Sequence, residues 1–169
     1  GTTPIIGIFT NDADTEIETS GTINVGKRSY GIYGASNKIT MSDGAINVGE
    51  GGVGIFATGS SDNQTFNDST IKLNGGTINV GNNQAVGVFV ADDATNPLKT
   101  TVENKGTNMT IGTNSFGYVV DSATGTNLLL GSSANKLTAS LGTDSVYAYS
   151  NDKTGYVYSN TDITTAGGK

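Results

Sequence analysis

The sequence predicts an all-β protein built as a parallel β-helix, a β-solenoid of about six coils with loop insertions on one edge. Three observations carry that expectation. A two-part motif, Gly-Thr-Ile-Asn-Val-Gly followed by a Gly-Ile-aromatic triplet, returns along the chain as "GTINVGKRSYGIYG", "GAINVGEGGVGIFA" and "GTINVGNNQAVGVFV". Inside each unit apolar and polar residues alternate with period two, the signature of a strand with one buried face. No segment carries a sustained helical stripe, so parallel strands here are not joined by helices, and short strands separated by Gly/Asn/Asp turns must stack coil on coil.

The repeat can be measured from the glycine that closes its first half. Gly26, Gly49, Gly81, Gly112, Gly142 and, more weakly, Gly167 lie between 23 and 32 residues apart. The second half marches in step as Gly7-Ile8-Phe9, Gly31-Ile32-Tyr33, Gly54-Ile55-Phe56, Gly87-Val88-Phe89, Gly117-Tyr118-Val119 and Tyr147-Ala148-Tyr149. In the first half Ile23 and Val25, Ile46 and Val48, Ile78 and Val80 face one way, continued by Met109 with Ile111 and Ala139 with Leu141. In the second half alternation places Tyr30, Ile32 and Gly34 on the inner wall. It places Val53, Ile55 and Ala57 there too, with Val86, Val88, Val90 and Phe116, Tyr118, Val120 matching them. A third short strand precedes each motif, marked by Ile39 and Met41, Ile71 and Leu73, and less sharply by Val102 and by Leu128 with Leu130.

The shortest spacing is close to what three strands and three tight turns require. Longer units place their excess between the Gly-Ile-aromatic strand and the next third strand, so Thr58–Thr70 and Ala91–Thr101 should project as loops from one edge. At about 4.8 Å per coil, six coils make a stub roughly 30 Å long. Each coil pairs its backbone with its neighbours and stacks its Ile and Val on their equivalents, each buried aliphatic contributing about 1.5–3 kcal/mol. Glycines suit corners that need positive φ or close backbone approach. The two ends of such a stack present open strand edges, which favours some end-to-end association of an otherwise monomeric piece.

Composition supports one domain spanning residues 1–169 and narrows its chemistry. The chain has 25 Gly and only 2 Pro, 34% apolar and 14% charged residues. That balance suits a turn-rich β protein, and the apolar share argues against disorder. A net charge of −6, with no basic stripe, makes nucleic acid an unsuitable partner and sets the chain against anionic membrane surfaces. There is no Cys, which excludes disulfides and thiolate metal sites, and no His, which removes the commonest general base and transition-metal ligand.

The units "GTINVG…YGIYG" and "GAINVG…VGIFA" resemble the passenger repeats of the very large fusobacterial autotransporter adhesins of the type V secretion system. The likeness covers most of the chain through a short, degenerate motif. It implies a right-handed, single-stranded parallel β-helix displayed on the extracellular side of a Gram-negative outer membrane, with a C-terminal membrane barrel anchoring the parent chain. The expected role is attachment to bacterial or host-cell surface proteins or glycans, or a stalk that scaffolds such attachment. The family has no single binding motif to carry over, and a cysteine-free passenger is expected for a chain that crosses the outer membrane unfolded.

Residues that could carry chemistry are few. Asp12, Asp14, Glu16 and Glu18 stand at spacing two and on a strand would share one face, with the hard oxygen donors calcium prefers. A solvated acidic face is the expected reading, because the run lacks the EF-hand spacing and does not recur as calcium nonapeptides do. A β-helix can also house a polysaccharide lyase or hydrolase, which needs paired carboxylates, or carboxylates with Lys or Arg, on neighbouring coils. Asp43, Glu50, Asp68 and Glu103 fall singly in different units, and no His is present to activate a serine. The chain is therefore expected to be non-catalytic, without metal or cofactor, the carbohydrate-active enzyme being the alternative. Rows of small polar residues, Thr22, Ala45, Thr77 and Asn24, Asn47, Asn79, are expected to form solvated ladders rather than an ice-binding array.

The most informative row is the aromatic one. With Val and Ile inside, Phe9, Tyr33, Phe56, Phe89, Val119 and Tyr149 align at one residue per coil. Three placements stay open for it: facing a partner, lying beneath the insertions, or turned into the core. Tyr33, Phe56 and Phe89, with Asp92 and Asp93 in the second long insertion, are the candidate contact residues.

Overall fold

A computed structural model describes residues 4–11, 15–35, 38–59, 69–91, 100–121 and 125–167. Among these residues eighteen strands form six coils of three. The first coil holds β1 (Ile6–Thr10), β2 (Glu16–Thr19) and β3 (Thr22–Val25), and the second β4 (Tyr30–Ala35), β5 (Lys38–Met41) and β6 (Ala45–Val48). The third and fourth coils run β7 (Val53–Thr58), β8 (Ser69–Leu73), β9 (Thr77–Val80), then β10 (Val86–Ala91), β11 (Thr100–Asn104) and β12 (Asn108–Ile111). Coils five and six contribute β13 (Phe116–Asp121), β14 (Asn127–Leu130), β15 (Leu137–Leu141), β16 (Val146–Ser150), β17 (Val157–Ser159) and β18 (Thr161–Thr165).

Corresponding strands assemble three parallel six-stranded sheets, in the orders β1-β4-β7-β10-β13-β16, β2-β5-β8-β11-β14-β17 and β3-β6-β9-β12-β15-β18. This is the parallel β-helix expected from the repeat. Its register is the motif register: Ile23 pairs with Ile46 and Ile46 with Ile78, while Ile32 pairs with Ile55 and Ile55 with Val88. Columns of like residues consequently run along the axis. Ile39, Ile71, Val102 and Leu128 form one and Val48, Val80, Ile111 and Leu141 another, all buried. Columns stop at both ends, where Ile8, Val157 and Ile163 occupy core positions yet are exposed.

The corner between the third sheet and the first is four residues long in most coils, as at Gly26–Ser29. Its left-handed position holds Arg28, Gly51, Asn114 and Asp144 at φ between 54° and 64°. The coil-four corner is one residue longer, and Asn83 and Gln84 both take positive φ there. Asn and Asp tolerate this conformation better than other non-glycine residues. The motif glycine itself is retained for a different reason: a Cβ on Gly81 would lie 2.5 Å from the Val48 carbonyl oxygen of the coil below. Small residues finish the corner, and the Ser29 and Ser115 hydroxyls donate back to Lys27 and Thr113 carbonyls at 3.1 and 3.2 Å.

The length excess sits where the sequence places it, between first-sheet and second-sheet strands. β7 leads to β8, and β10 to β11, through the two long segments. Residues 60–68 and 92–99 of those insertions fall outside the described residues.

Candidate functional site: an aromatic ladder on the outer wall

The geometry of the first sheet comes from its glycines. A Cβ built on Gly54 would point at the Ile46 and Val48 side chains, so Gly54 faces the interior, as does the buried Ile55 that follows it. Two successive residues therefore face inward, which breaks the simple alternation. That Cβ would also lie 2.6 Å from the carbonyl oxygen of Gly87, so the close approach admits only glycine. The residue before each Gly and the residue two after it are thereby both sent outward.

This corrects part of the alternation reading. Tyr30 does not line the core: its ring centroid lies 5.4 Å from those of Tyr33 and Phe56 on the outer face. Val53 and Phe116, expected inside, share the register column of Tyr30 and are only half-buried. Val86 of the same column is buried but borders the outer surface groove. Ile55, Ala57, Val88, Val90, Tyr118 and Val120 are buried as expected.

The register places Phe9, Tyr33, Phe56, Phe89, Val119 and Tyr149 in one column across six strands. Rings from adjacent coils touch: Phe9 with Tyr33 at 5.4 Å, Tyr33 with Phe56 at 4.7 Å, and Phe56 with Phe89 at 5.3 Å. Interplanar tilts of 33–53° make this a tilted ladder, with centroid spacings in the range of favourable aromatic pairs. Of the three placements left open, the core is thus excluded. Tyr33, Phe56 and Phe89 are half-buried, and Phe9 and Tyr149 at the ends are 55% and 48% exposed; cover by the insertions lies outside the described residues. Partial burial, with Tyr30 beside it, raises the Tyr33 phenol above its usual pKa. Asp92 and Asp93 lie outside the described residues.

The ladder breaks at Val119. There a surface groove of about 480 Å³ opens, bordered by Phe89, Val119 and Tyr149 along the column, by Phe116 beside it, and by the exposed carboxamides of Gln84 and Asn114. On the inner side of the same strand, Tyr118 is fully buried where coils two to four carry Ile or Val. Its ring packs edge-on against Tyr147 at 5.4 Å and 86°. Tyr147 itself fills the position that is glycine in coils one to five, next to the small Ala148.

Asn104, which sequence reasoning did not single out, completes this polar interior. It stands in the column of Met41, Leu73 and Leu130 and is wholly buried. Its Nδ2 donates to the Thr107 carbonyl and to the Tyr118 hydroxyl, both at 2.8 Å. Its Oδ1 accepts from the backbone N–H of Gly106 and Thr107 at 3.1 and 2.8 Å. All four hydrogen-bonding capacities of the carboxamide are met, as burial requires. The signal was legible: a polar residue at a position that is apolar in coils two, three and five. Burial, reinforced by Tyr147, pushes the Tyr118 phenol well above its usual pKa, and the Asn104 hydrogen bond opposes this.

The other candidates separate. Glu16 and Glu18 share the outer face of β2, as expected, and Glu16 lies 3.9 Å from Lys38, while Asp12 and Asp14 lie outside the described residues. Among the described residues no three acidic side chains group as metal ligands. Glu50 sits at a corner paired with Lys27 at 3.2 Å, Asp43 at the opposite corner, and Glu103 on the second sheet with Lys105 at 3.1 Å; Asp68 is outside the described residues. The Asn row forms the ladder expected of it: Asn79 Nδ2 donates to Asn47 Oδ1 at 2.8 Å, and Asn47 Nδ2 to Asn24 Oδ1 at 2.9 Å.

One carboxylate has a defined structural task. Asp152, in the turn before β17, accepts through Oδ2 from the N–H of Gly125 and Thr126 at 2.8 and 2.6 Å. Through Oδ1 it accepts from Thr154 N–H and hydroxyl, both at 2.9 Å. Desolvation pushes its pKa up, but these hydrogen bonds outweigh it and bring the value from 3.8 to about 2. Asp152 therefore clips the sixth coil to the fifth.

No protein-family model, curated protein or solved structure matches the chain.

Proposed function

We propose that this chain is a non-catalytic segment of an extracellular adhesin, a rigid β-helical piece that presents an attachment surface for other bacteria or host cells. The observation that carries the reading is the outward aromatic ladder, four touching rings from Phe9 to Phe89 along one wall. Contiguous aromatic surface on a scaffold fixed by backbone pairing is what protein contact surfaces are enriched in. The motif resemblance to fusobacterial autotransporter passengers points the same way. It implies a parent chain at the outer membrane, held by a C-terminal barrel, with a surface protein or glycan as the partner.

The test is binding of the fluorescently labelled chain to intact host cells and to bacterial cells, compared with a Tyr33→Ser/Phe56→Ser/Phe89→Ser variant whose β-sheet circular dichroism is intact. Saturable binding by the unaltered chain, weakened about tenfold or more in the variant, is expected from loss of central aromatic anchors. A chain that attaches to no cell type, or a variant that attaches equally well, overturns the reading.

A further inference from the structure

We propose that the gap in the ladder at Val119 is a binding slot for one neutral pyranose ring, so that the partner engaged there is a glycan. Phe89 and Tyr149 lie in the same column on either side of Val119, two coils apart, which is roughly 9.6 Å along the axis. Elsewhere in the ladder neighbouring rings sit 4.7–5.4 Å apart. A single flat ring placed over Val119 would therefore lie one ladder step from each wall. The groove of about 480 Å³ is where this geometry predicts it, with Phe116 as a third apolar side.

The chemistry of the rim selects the kind of ring. Gln84 and Asn114 border the slot, both exposed and both in corner residues with positive φ. A carboxamide donates and accepts, which suits the hydroxyls around a pyranose, while the sugar's C–H faces suit the aromatic walls. Among the described residues no charged side chain lines the slot, although the chain as a whole carries −6, so a neutral sugar matches it better than an anionic or cationic one. An aromatic side chain of a protein partner would use the walls and leave both carboxamides unused. Coils two and three offer no such slot, because the rings there touch and Tyr30 covers them.

This inference deepens the adhesin reading and rests on it for its biological setting, but the slot can be tested alone. The isotopically labelled chain is titrated with neutral disaccharides of gluco, galacto and manno configuration, and in parallel with the capped peptide Gly-Tyr-Gly, following backbone amide shifts. At least one disaccharide should shift amides around Val119 and Tyr149, leaving those of coils one to three unmoved. Val119→Phe fills the gap and should weaken binding about tenfold or more, as should Tyr149→Ala, which removes a wall without touching the core. Asn114→Gly keeps the corner conformation and should weaken sugar binding severalfold. Shifts from no sugar, sugar binding unaffected by Val119→Phe, or shifts from the peptide alone would each overturn the proposal. The two readings fail separately: cell attachment by a chain whose amides no sugar shifts removes the slot and leaves the adhesin. Sugar binding by a chain that attaches to no cell does the reverse.

Discussion

Coils two to four and coils five and six share sheets and register, yet they distribute aromatic volume in opposite ways. In coil four the first strand carries Val88 inside and Phe89 outside; in coil five it carries Tyr118 inside and Val119 outside. The large ring has crossed the wall. In coil six Tyr147 occupies the glycine position, and Ala148 takes the place of Ile or Val beside it. A solenoid wall fixed by backbone pairing accepts such exchanges when the summed volume of each layer is kept, because density rather than identity limits a core. The exchange brings a polar hydroxyl inside, and buried Asn104 is there to receive it. Outside, it leaves the gap that interrupts the ladder.

Removing the inner ring tests the comparison most severely. Tyr118→Ala should cost about 3–5 kcal/mol in chemical denaturation, for the lost burial and the cavity left behind. Tyr118→Phe should cost about 1–2 kcal/mol, for the hydrogen bond lost to Asn104 alone. If the two cost the same, the hydroxyl rather than the volume is what coil five needs.

Gly87→Ala comes next. Its Cβ would stand 2.7 Å from the Gly117 carbonyl oxygen and 3.2 Å from Val80 Cγ2, so overpacking should cost about 1–3 kcal/mol. A neutral result would mean that the regular coils can admit side chains at the glycine position as coil six does.

Acid should separate the two regions. Because the folded pKa of Asp152 is depressed to about 2, its contribution is fully present above the ordinary 3.8 and is lost as pH falls through that window. Hydrogen exchange should open β17 and its turn first between pH 4 and 2, while the Asn-laddered coils stay protected. Asp152→Ala should remove this pH dependence and cost about 1–2 kcal/mol at neutral pH. Uniform acid opening along the solenoid would contradict the clip.

The smallest effect has the opposite sign. Val119→Phe restores a ring between Phe89 and Tyr149 and should stabilise the chain by about 0.5–1.5 kcal/mol, raising its thermal midpoint. A fall in stability would show that the gap is closed to a ring.

Much of this architecture was legible in residues alone. The glycine ruler and the paired Ile and Val residues pointed to about six coils, three strands in each, the register of the main apolar columns and the connection that holds the long insertions. Such features repeat, and each repeat must present its apolar face to the next, so one pattern constrains all of them. The aromatic row could be aligned but not oriented. Glycine has no side chain to reveal which way it faces, so alternation carried across Gly31, Gly54 and Gly117 put Tyr30, Val53 and Phe116 on the wrong side of the wall. Only the stacked structure, in which the glycine backbone lies against the next coil's carbonyl, set that phase. It likewise decided that Asn104 could be buried, since its carboxamide reaches the Tyr118 hydroxyl only once coils four and five lie together, whereas its bond to the Thr107 carbonyl is local. A strand pattern is local and appears in the sequence, whereas the partner of a buried polar group and the space beside a missing ring belong to neighbouring coils.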